Sequence, residues 1–439
     1  MTLSRRGFLG LAGLGSVAAL PALAGCGGTL PPTDVTVAGF GENAEGVLNV
    51  WCRSDTLTGN QVMVDAFHAA QDRLRIELTP IPNSQYVTKL ATAIRGGRPP
   101  DLVDIDDIYS ALFIFRDAFA DLTPVIEELP YADRLSPGHL GLATMDDRYY
   151  GVPFLADNSV LWCNLELFDR AGISVDEATS SFEGYLEAAR ALAGLGEDTY
   201  GWWTPGNASG TLGFIVQPHI WATDTDMIAG EVGEQYGNVV GNEPLRRTLE
   251  LMRTFWEEEL VAPGSFADDG SRGPADFLAG RAGMTAYSYG SIVPDADPAF
   301  LDQIEVRLLS GPDGGECFFD GGDNFAIPNG ARNPSGAWEY VRFCLDLEQQ
   351  SILPDGGYMP VRSDVLTDAF RERYPHAVAP LENLDAGYAP LSLSYNRIYN
   401  QPDGPWLEMF RRAVFGGEIE EAMAAAQSRY DLLLRQGDA

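Results

Sequence analysis

From position 47 onward the chain alternates between the two periodicities that distinguish strands from helices. The apolar run at residues 47–51 is typical of a strand, and residues 61–70 have the apolar spacing of a helix. Residues 74–78 alternate as a second strand, residues 86–94 predict a second helix, and residues 101–105 predict a third strand. Strands separated by helices of this length predict an α/β fold built on a mostly parallel sheet.

Polar side chains follow the first and third of these strands. Ligands of parallel sheets bind at the carboxyl ends of the strands. This predicts a ligand-binding rim that contains Trp51, Arg53 and Asp55 after the first strand. Asp106 and Asp107, after the third strand, belong to the same rim. The alternative for the charged residues is that each one caps a helix or faces water.

The length and charge of the chain limit what it can be. A length of 439 residues exceeds what one hydrophobic core usually holds, so two lobes are expected. The chain has 63 acidic and 29 basic residues and a formal charge of −34, which argues against binding nucleic acid or an anionic membrane through the body of the protein. Lys89 is the only lysine. An acid-rich, lysine-poor composition fits a high-salt habitat, and a high-GC genome would also replace lysine with arginine.

The N-terminus has the pattern of an export signal. Arg5 and Arg6 form a twin-arginine pair, and an apolar run over residues 9–24 follows them. The run ends in Leu-Ala-Gly before Cys26, which resembles a lipoprotein processing box. We therefore expect a signal at residues 1–25, a diacylglyceryl group on Cys26 and a flexible, Gly- and Pro-rich tether over residues 26–46. The alternative is a cleaved signal with an incidental cysteine.

Residues 151–172 combine two apolar segments with a polar interruption. Asp157 and Asn158 lie between a segment that begins with a Gly-Val-Pro turn and the apolar run that contains Trp162. This arrangement predicts a passage from one lobe to the other with the polar pair at the joint, a common place for a small-molecule site. An ordinary buried strand followed by a helix is the alternative.

Six motifs follow one another along the chain: PPDLVDID, DRYYGVPFLADNSVLWCNLELFDRAG, DFLAGRAGMTAYSYG, GGDNFAIP, AWEYVRFCLDLEQQ and GGYMPVR. Their order and spacing resemble the extracellular solute-binding proteins of the maltose-binding-protein type, which capture ligands for ABC importers. The resemblance implies two α/β lobes joined by three crossing segments, with the ligand in the cleft between them.

The resemblance also maps the parts of the fold onto this sequence. The crossings are expected near residues 151–164, 317–327 and 356–362. The first lobe then comprises residues 47–156 plus 322–357, and the second comprises residues 157–321 plus 358–439. Gly321 and Gly322 are expected to absorb the torsions of a hinge.

A sugar ligand requires flat rings against its C–H faces and planar polar groups for its hydroxyls. The aromatic candidates beyond Trp51 are Trp202, Trp203, Tyr287, Tyr289, Tyr358 and Tyr395. The polar candidates beyond the rim are Asp157, Asn158, Asp323 and Asn324. Trp202 and Trp203 lie among Gly and Pro residues, which predicts a loop that displays both indoles, with core packing as the alternative.

The predicted function is that of a membrane-anchored receptor, not an enzyme, which captures a mono- or oligosaccharide by hinge closure. It would act as a monomer on the outer face of the cytoplasmic membrane and deliver the solute to an ABC permease. No cofactor, metal or nucleic acid is expected. The same fold with an oligopeptide, polyamine or metal chelate as ligand is one alternative, and a secreted glycoside hydrolase with paired carboxylates is another.

Cysteine and histidine patterns add no chemistry to this prediction. Cys52, Cys163, Cys317 and Cys344 lie in apolar surroundings without metal-ligand spacing, and buried free thiols are expected. The four histidines are scattered along the chain, which favours structural roles for them.

Overall fold

The computed structural model describes residues 30–271 and 273–437 as two β-sheets, each flanked by helices. In chain order, the strands are β1 (Gly46–Arg53), β2 (Leu74–Ile81), β3 (Leu102–Asp106), β4 (Thr144–Met145), β5 (Arg148–Tyr149), β6 (Val152–Ala156), β7 (Ser159–Asn164), β8 (Tyr200–Trp203), β9 (Ile228–Ala229), β10 (Tyr236–Gly237), β11 (Ala282–Ser288), β12 (Ile304–Arg307), β13 (Leu309–Ser310), β14 (Glu316–Phe319), β15 (Gly322–Ala326) and β16 (Gly387–Tyr388).

Helices cover the faces of both sheets, and a π-helical turn occupies Asn396–Asn400. The α-helices are α1 (Leu57–Ala70), α2 (Asn83–Arg95), α3 (Asp107–Ile114), α4 (Thr123–Ile126), α5 (Pro137–Leu142), α6 (Leu165–Ala171), α7 (Val175–Ala178), α8 (Phe182–Ala193), α9 (Ser209–Val216), α10 (Pro218–Trp221), α11 (Glu243–Glu257), α12 (Ala275–Leu278), α13 (Tyr289–Ile292), α14 (Pro298–Leu301), α15 (Pro334–Leu345), α16 (Leu347–Gln350), α17 (Asp368–Arg373), α18 (Val378–Glu382), α19 (Pro405–Val414) and α20 (Ile419–Gly437). The predicted two-lobed α/β architecture is confirmed.

Sheet one, the centre of lobe one, has the strand order β2-β1-β3-β15-β6. In β1 the buried residues Leu48, Val50 and Cys52 alternate with more exposed ones, so Trp51 and Arg53 share the opposite face. β1 pairs in parallel with β2 and β3, whereas β15 runs antiparallel to β3 and β6. β15 enters sheet one from lobe two, at the end of the sheet where β3 and β6 terminate. It therefore runs antiparallel to both of them.

Sheet two, the centre of lobe two, has the main order β13-β14-β7-β11-β8, with β12 beside β7 and β16 beside β14. β7 is antiparallel to β11, β12 and β14. β8 pairs in parallel with β11, and β16 pairs in parallel with β14. The sheets are therefore mixed rather than mostly parallel. The physical reason is that β7 carries the chain away from lobe one, and β11 and β14 carry it back.

Two crossings lie side by side. The chain passes from β6 of sheet one to β7 of sheet two through Asp157, and returns from β14 to β15 through Gly321. The Asp157 N–H donates to the Gly321 carbonyl at 2.7 Å, which ties the two crossings together. Gly322 has a φ of +151°, and a Cβ there would collide with the Leu155 carbonyl, so this position requires glycine.

The third crossing lies later than residues 356–362. The Met359 N–H and carbonyl exchange hydrogen bonds with Ala156 of β6 at 2.8 and 2.9 Å, so this segment remains with lobe one. The Ser136 N–H donates to the Val361 carbonyl at 2.8 Å. His376, by contrast, contacts the Leu301 carbonyl of lobe two at 3.0 Å. The boundary expected after residue 357 therefore moves beyond residue 362, because β6 has a free edge that this segment fills.

Part of the expected tether at residues 26–46 is bound to lobe one. The Thr33 N–H donates to Asn329 Oδ1 at 3.0 Å, and the Gly41 N–H donates to Ser335 Oγ at 2.7 Å. The main-chain N–H groups of this segment thus donate to one side chain that precedes α15 and to one in its first turn. These hydrogen bonds hold the segment against lobe one.

The expected signal at residues 1–25 and the expected lipidation site Cys26 lie outside the described residues. Among the helices that are described, none is both long and apolar enough to cross a membrane. Cys52, Cys163, Cys317 and Cys344 are buried and carry free thiols, as predicted.

Candidate functional site

A cleft of about 480 Å³ lies between the lobes, at the carboxyl ends of β1 and β3. Lobe one and the crossings contribute Arg53, Asp55, Asn83, Asp106, Tyr109, Asp157, Gly321, Gly322 and Tyr358 to its wall. Lobe two contributes Ser159, Ala208, Ser209, Gly210, Thr211, Phe214, Ile215, Asp269, Tyr287, Ser288, Ser291, Phe319 and Asn400. Of the binding residues expected from the sequence, the cleft brings together Arg53, Asp55, Asp106, Asp157, Tyr287 and Tyr358.

Arg53 is held at the floor of the cleft by two carboxylates. Its Nε donates to Asp323 Oδ2 at 2.9 Å, and its Nη2 donates to the other oxygen of the same carboxylate. Its Nη1 lies 3.2 Å from Asp106 Oδ2. The Asp323 side chain is fully buried beneath the cleft, whereas those of Arg53 and Asp106 remain 15% and 18% exposed. The guanidinium is therefore oriented and its charge compensated before any ligand binds.

Two carboxylates of the wall have raised pKa values. Burial raises the pKa of Asp157 to about 6, although the Gly290 N–H donates to its Oδ1 at 2.8 Å and opposes the rise. Burial likewise raises the pKa of Asp106 to about 6, although Arg53 favours its ionised form. Above pH 7 both groups are ionised and can accept hydrogen bonds from hydroxyl or ammonium donors.

Aromatic rings form the lobe-two side of the cleft. Phe214 and Phe319 are stacked, with centroids 4.4 Å apart and planes inclined by 26°. Tyr287 packs edge-to-face on Trp203, with centroids 5.4 Å apart. Such rings can cover the apolar face of a ligand with little loss of side-chain entropy. Trp203 therefore supports the ring of Tyr287 from behind, and the wall itself is formed by Tyr287.

Tyr109 connects the two lobes across the cleft. Its hydroxyl donates to Asn396 Oδ1 at 3.1 Å and accepts from Asn400 Nδ2 at 3.2 Å. The two asparagines are the first and last residues of the π-helical turn, a rare element that occurs frequently at functional sites. The Asn400 carbonyl also accepts from Ser209 Oγ at 3.1 Å, which joins the turn to the start of α9.

Besides Trp203, which lies behind Tyr287, four aromatic candidates do not line the cleft. Trp202, Tyr289 and Tyr395 are at most 2% exposed and lie in the core. Trp202 belongs to β8 rather than a displayed loop and stacks on Phe255 at 5.4 Å. Trp51 packs within lobe one, where its carbonyl accepts a hydrogen bond from a buried tyrosine hydroxyl.

Three polar candidates lie below the cleft and hold the crossings together. Asn158 Nδ2 donates to Asp320 Oδ1 at 2.9 Å when its amide is oriented to satisfy both partners. Asn324 Nδ2 donates to the His139 carbonyl at 3.1 Å. Asp107 Oδ2 lies 3.6 Å from His139 Nε2, and neither side chain is exposed. Like Asp323, these residues position the wall rather than form it.

His139 is the central group of this buried set. Its Nδ1 lies 3.1 Å from Asp320 Oδ2, and the Ser136 hydroxyl donates to the same carboxylate. Burial alone would lower the pKa of His139, but Asp320 and Asp107 together raise it to about 9. His139 is therefore protonated at neutral pH and links lobe one to the second crossing through its charge.

Two other grooves of the described chain are larger than this cleft. One of about 540 Å³ also lies between the lobes, between residues 144–147 and the segment around Tyr388, and no crossing contributes to it. The described residues contain no group of three or more His, Cys, Asp or Glu side chains arranged to hold a metal ion. A larger groove of about 830 Å³ lies on lobe one alone, between the N-terminal segment and α15. We favour the interlobe cleft because both lobes and two crossings contribute converging polar and aromatic groups to it.

Comparison with known proteins places the chain among binding proteins. A Brucella abortus protein named as a binding protein is 19% identical over 377 residues, which span 84% of this chain and 88% of that protein. The solved sugar-binding protein MalE of Xanthomonas citri aligns with a TM-score of 0.77 at 18% identity and covers 89% of this chain and 98% of its own. The cyclic alpha-maltosyl-1,6-maltose binding protein of Arthrobacter globiformis gives a TM-score of 0.74 at 17% identity, over 90% of this chain and all of its own.

These likenesses agree on a two-lobed binding-protein fold. The sequence profile of the bacterial extracellular solute-binding proteins matches residues 62–379, which is more than half of the chain. Proteins of this family bind substrates and are not enzymes. The chain thus belongs to the bacterial extracellular solute-binding protein family.

Proposed function

We propose that the protein is a receptor that captures a carbohydrate in the interlobe cleft and delivers it to the permease of an ABC importer. The observation that carries this proposal is the pairing of stacked rings on one side of the cleft with fixed carboxylates on the other. Phe214 and Tyr287 offer flat apolar surfaces, and Asp106 and Asp157 offer hydrogen-bond acceptors. A sugar ring presents both C–H faces and hydroxyl donors, so it matches both sides.

Capture is proposed to occur by hinge closure. A ligand between the lobes contacts both of them fully only when they are closed, so it shifts the open–closed equilibrium by its difference in affinity for the two forms. The paired crossings around Asp157 and Gly321 are the proposed pivot, since few residues there join the lobes. The names of two structural neighbours, a sugar-binding protein and a maltosyl-maltose binding protein, support a carbohydrate as the ligand class.

The proposed location is the outer face of the cytoplasmic membrane, through a lipid on Cys26. The export signal and processing box in the sequence support this, as does membership of an extracellular family. Anchoring would keep the receptor near its permease and raise its effective concentration there.

A cationic solute such as a polyamine or a basic oligopeptide is the second candidate. The cleft is lined by Asp55, Asp106, Asp157 and Asp269, and its one guanidinium, that of Arg53, is already paired. This excess of carboxylates favours ammonium donors and disfavours anionic sugars.

The decisive experiment is a thermal-shift screen of mono- and oligosaccharides and polyamines at several salt concentrations. At a hundredfold excess over its dissociation constant, a ligand adds about 2.7 kcal/mol of stability. For a chain of this size that raises the melting temperature by a few degrees. A sugar that shifts the melting temperature supports the proposal, whereas shifts by polyamines alone would assign the cleft to cations.

A substitution then locates the site for the ligand found. Phe214→Ala removes a ring of the wall and is expected to weaken binding about tenfold, the value of one aromatic contact. Phe266→Ala is the matched control, because Phe266 is a 44% exposed ring of the same lobe that does not line the cleft. If calorimetric titration gives equal affinities for the two variants, the aromatic wall does not contribute to ligand binding.

A further inference from the structure

The carboxylates of the cleft outnumber the cations that can compensate them. Among the described residues of the wall, Arg53 is the only cation. It donates to Asp323 beneath the floor at 2.9 Å and lies 3.2 Å from Asp106. One guanidinium therefore serves two carboxylates, and this group retains one net negative charge.

Two further carboxylates of the wall have no cationic partner. Asp55 accepts a hydrogen bond from the Asn83 amide, and Asp157 accepts one from the Gly290 N–H at 2.8 Å. Both donors are neutral, and neither carboxylate forms an ion pair within the described residues. Neutral donors orient these groups and leave their charge in place, so each adds a negative charge to the cleft when it is ionised.

Arginines on the neighbouring elements of lobe two are engaged away from the cleft. Arg397, in the π-helical turn, donates to Gln436 Oε1 of α20 at 2.7 Å. Arg411 of α19 donates to the Gly206 and Phe266 carbonyls at 2.8 and 2.7 Å. Neither arginine lines the cleft. They therefore do not compensate the carboxylates of its wall.

Groups below the floor and at the rim do not remove the excess either. Burial raises the pKa of Asp104 well above its usual value, which favours its neutral form. The charge of His139 is compensated by Asp320, 3.1 Å from its Nδ1. Asp269 is exposed at the rim, and Arg272 follows it three positions later in the sequence, so the excess does not depend on Asp269. The cleft thus keeps a negative excess on its lobe-one side.

A buried hydroxyl group of the wall has no partner. Ser159 is 2% exposed, lines the cleft and forms no side-chain hydrogen bond within the described part of the chain. It begins β7 two positions after Asp157, so both groups belong to the same crossing. A missing hydrogen bond at a buried hydroxyl is costly. This hydroxyl therefore indicates a ligand that brings a polar partner to the crossing.

Closure of the lobes makes the excess of charge expensive. When lobe two closes, Asp106 and Asp157 lose contact with water, and a buried charge without a counter-charge is strongly unfavourable. The hydroxyls of a neutral sugar donate hydrogen bonds to these carboxylates but do not cancel their charge. A polyamine cancels the charge but has no flat ring face for Phe214 and Tyr287. A ligand that matches both sides of the cleft has a sugar ring and an ammonium group.

We propose that the cleft selects an amino sugar, a carbohydrate with a free amino group, whose ammonium group binds at Asp157. An ammonium group brings one positive charge and three N–H donors. Asp157 supplies the counter-charge, Ser159 supplies a neutral acceptor, and Tyr287 covers the sugar ring. This inference rests on the proposed function, because it narrows the carbohydrate to a cationic class.

Calorimetric titration of the full chain at pH 7 tests the inference with ligands that share one skeleton. Each set contains an amino sugar, its N-acetyl form and the parent sugar with a hydroxyl group at that position. The sets are the monosaccharides of glucose, galactose and mannose and the β-1,4-linked disaccharide of glucose. We expect the amino member of a set to bind about 30-fold more tightly than the other two, the value of one hydrogen bond to a charged group.

The variant Asp157→Asn removes the charge and keeps the shape of the side chain. The ratio between the affinities for the amino and the N-acetyl form should fall from about 30 to below about three. Asp169→Asn is the matched control, because Asp169 is exposed on α6, does not line the cleft and forms no ion pair within the described residues. The control should keep the ratio of the parent.

A pH series on the parent decides the matter even if Asp157→Asn does not fold. The charged and titratable groups that act on Asp157 are those of Arg53, Asp323, Tyr287 and Tyr358. Burial raises the pKa of Asp157 to about 6, so its carboxylate is ionised at pH 7 and mostly protonated at pH 5. The affinity for the amino sugar should therefore fall about tenfold over this range, whereas that for the N-acetyl form should not fall.

The outcomes separate this inference from the proposed function. Equal or tighter binding of the hydroxyl or N-acetyl members overturns the inference and leaves a receptor for neutral carbohydrates. An unchanged ratio in Asp157→Asn, or an affinity for the amino sugar that does not fall toward pH 5, overturns the role of Asp157. Binding of spermidine without binding of any sugar, or no binding at all, overturns the carbohydrate proposal together with this inference.

Discussion

The two sides of the cleft are held in place by different interactions. On the lobe-one side, Arg53 is fixed by Asp323 and Asp106, and the groups that face the ligand are charged and already paired. On the lobe-two side, Phe214 stacks on Phe319 and small hydroxyl residues surround them. One side is positioned by ion pairs and the other by ring packing.

This difference assigns a separate task to each side. Fixed carboxylates discriminate between donors by direction, because a hydrogen bond weakens steeply as its angle departs from linearity. Stacked rings contribute contact area, which depends little on the exact pattern of hydroxyls. We therefore expect substitutions in lobe one to change stability and specificity, and substitutions in the lobe-two wall to change affinity more evenly across ligands.

The largest effect is expected from Asp323→Asn. The change leaves the Arg53 guanidinium partly uncompensated above a buried site, which typically costs about 3–5 kcal/mol of unfolding free energy. Urea unfolding followed by tryptophan fluorescence measures it. The control is Asp313→Asn, which breaks the exposed pair with Arg247 and should change stability far less, because solvent screens an exposed pair. Similar losses in both variants would show that the pairing beneath the cleft is no tighter than one on the surface.

A smaller effect compares the histidines of the two lobes. The pKa of His139 is raised to about 9, so its contribution to stability is fully present below pH 6.5 and is lost as the pH rises through 9. Burial lowers the pKa of His219 in lobe two to about 4, so His219 stays neutral across that range. Unfolding free energies between pH 6.5 and 9 should fall by about 3 kcal/mol in the parent and less in His139→Gln. An unchanged slope in His139→Gln, or a flattened one in His219→Gln, contradicts this assignment.

The smallest effect concerns the contact between the lobes. Tyr109→Phe removes the hydroxyl that bonds Asn396 and Asn400, and neutral hydrogen bonds contribute about 1 kcal/mol each. We expect the ligand-free protein to open, which small-angle X-ray scattering would detect as a larger radius of gyration. Tyr236→Phe, at a 57% exposed ring of lobe two, should leave that radius unchanged. If the two variants scatter alike, the interlobe contact does not hold the lobes together.

The lobe-one side of the cleft could be predicted from local sequence. Arg53 and Asp106 follow apolar runs of the right length, and the rule that ligands lie at the carboxyl ends of parallel strands identifies them. The segment around Asp157 could also be recognised, because a polar pair interrupts two apolar strands there and marks the point where the chain leaves one sheet for the other. The fold class followed from the same alternation of strands and helices.

The lobe-two side could not be predicted in the same way. Trp202 and Trp203 lie in a strand because β8 pairs with β11, a partner about 80 residues later that no local pattern reveals. Phe214 and Asn400 meet at the cleft only through the packing of α9 on the π-helical turn. The Gly-Asn-Ala-Ser sequence, whose serine is the first residue of α9, is typical of a helix start and was the available signal for Ser209.

The burial of the four cysteines has a consequence for their chemical reactivity. Burial raises the pKa of Cys163 and Cys344 well above the usual thiol value, so little reactive thiolate forms. The described fold closes no loop with a disulfide. Burial and low thiolate content together make these four thiols slow to oxidise and slow to exchange with external disulfides.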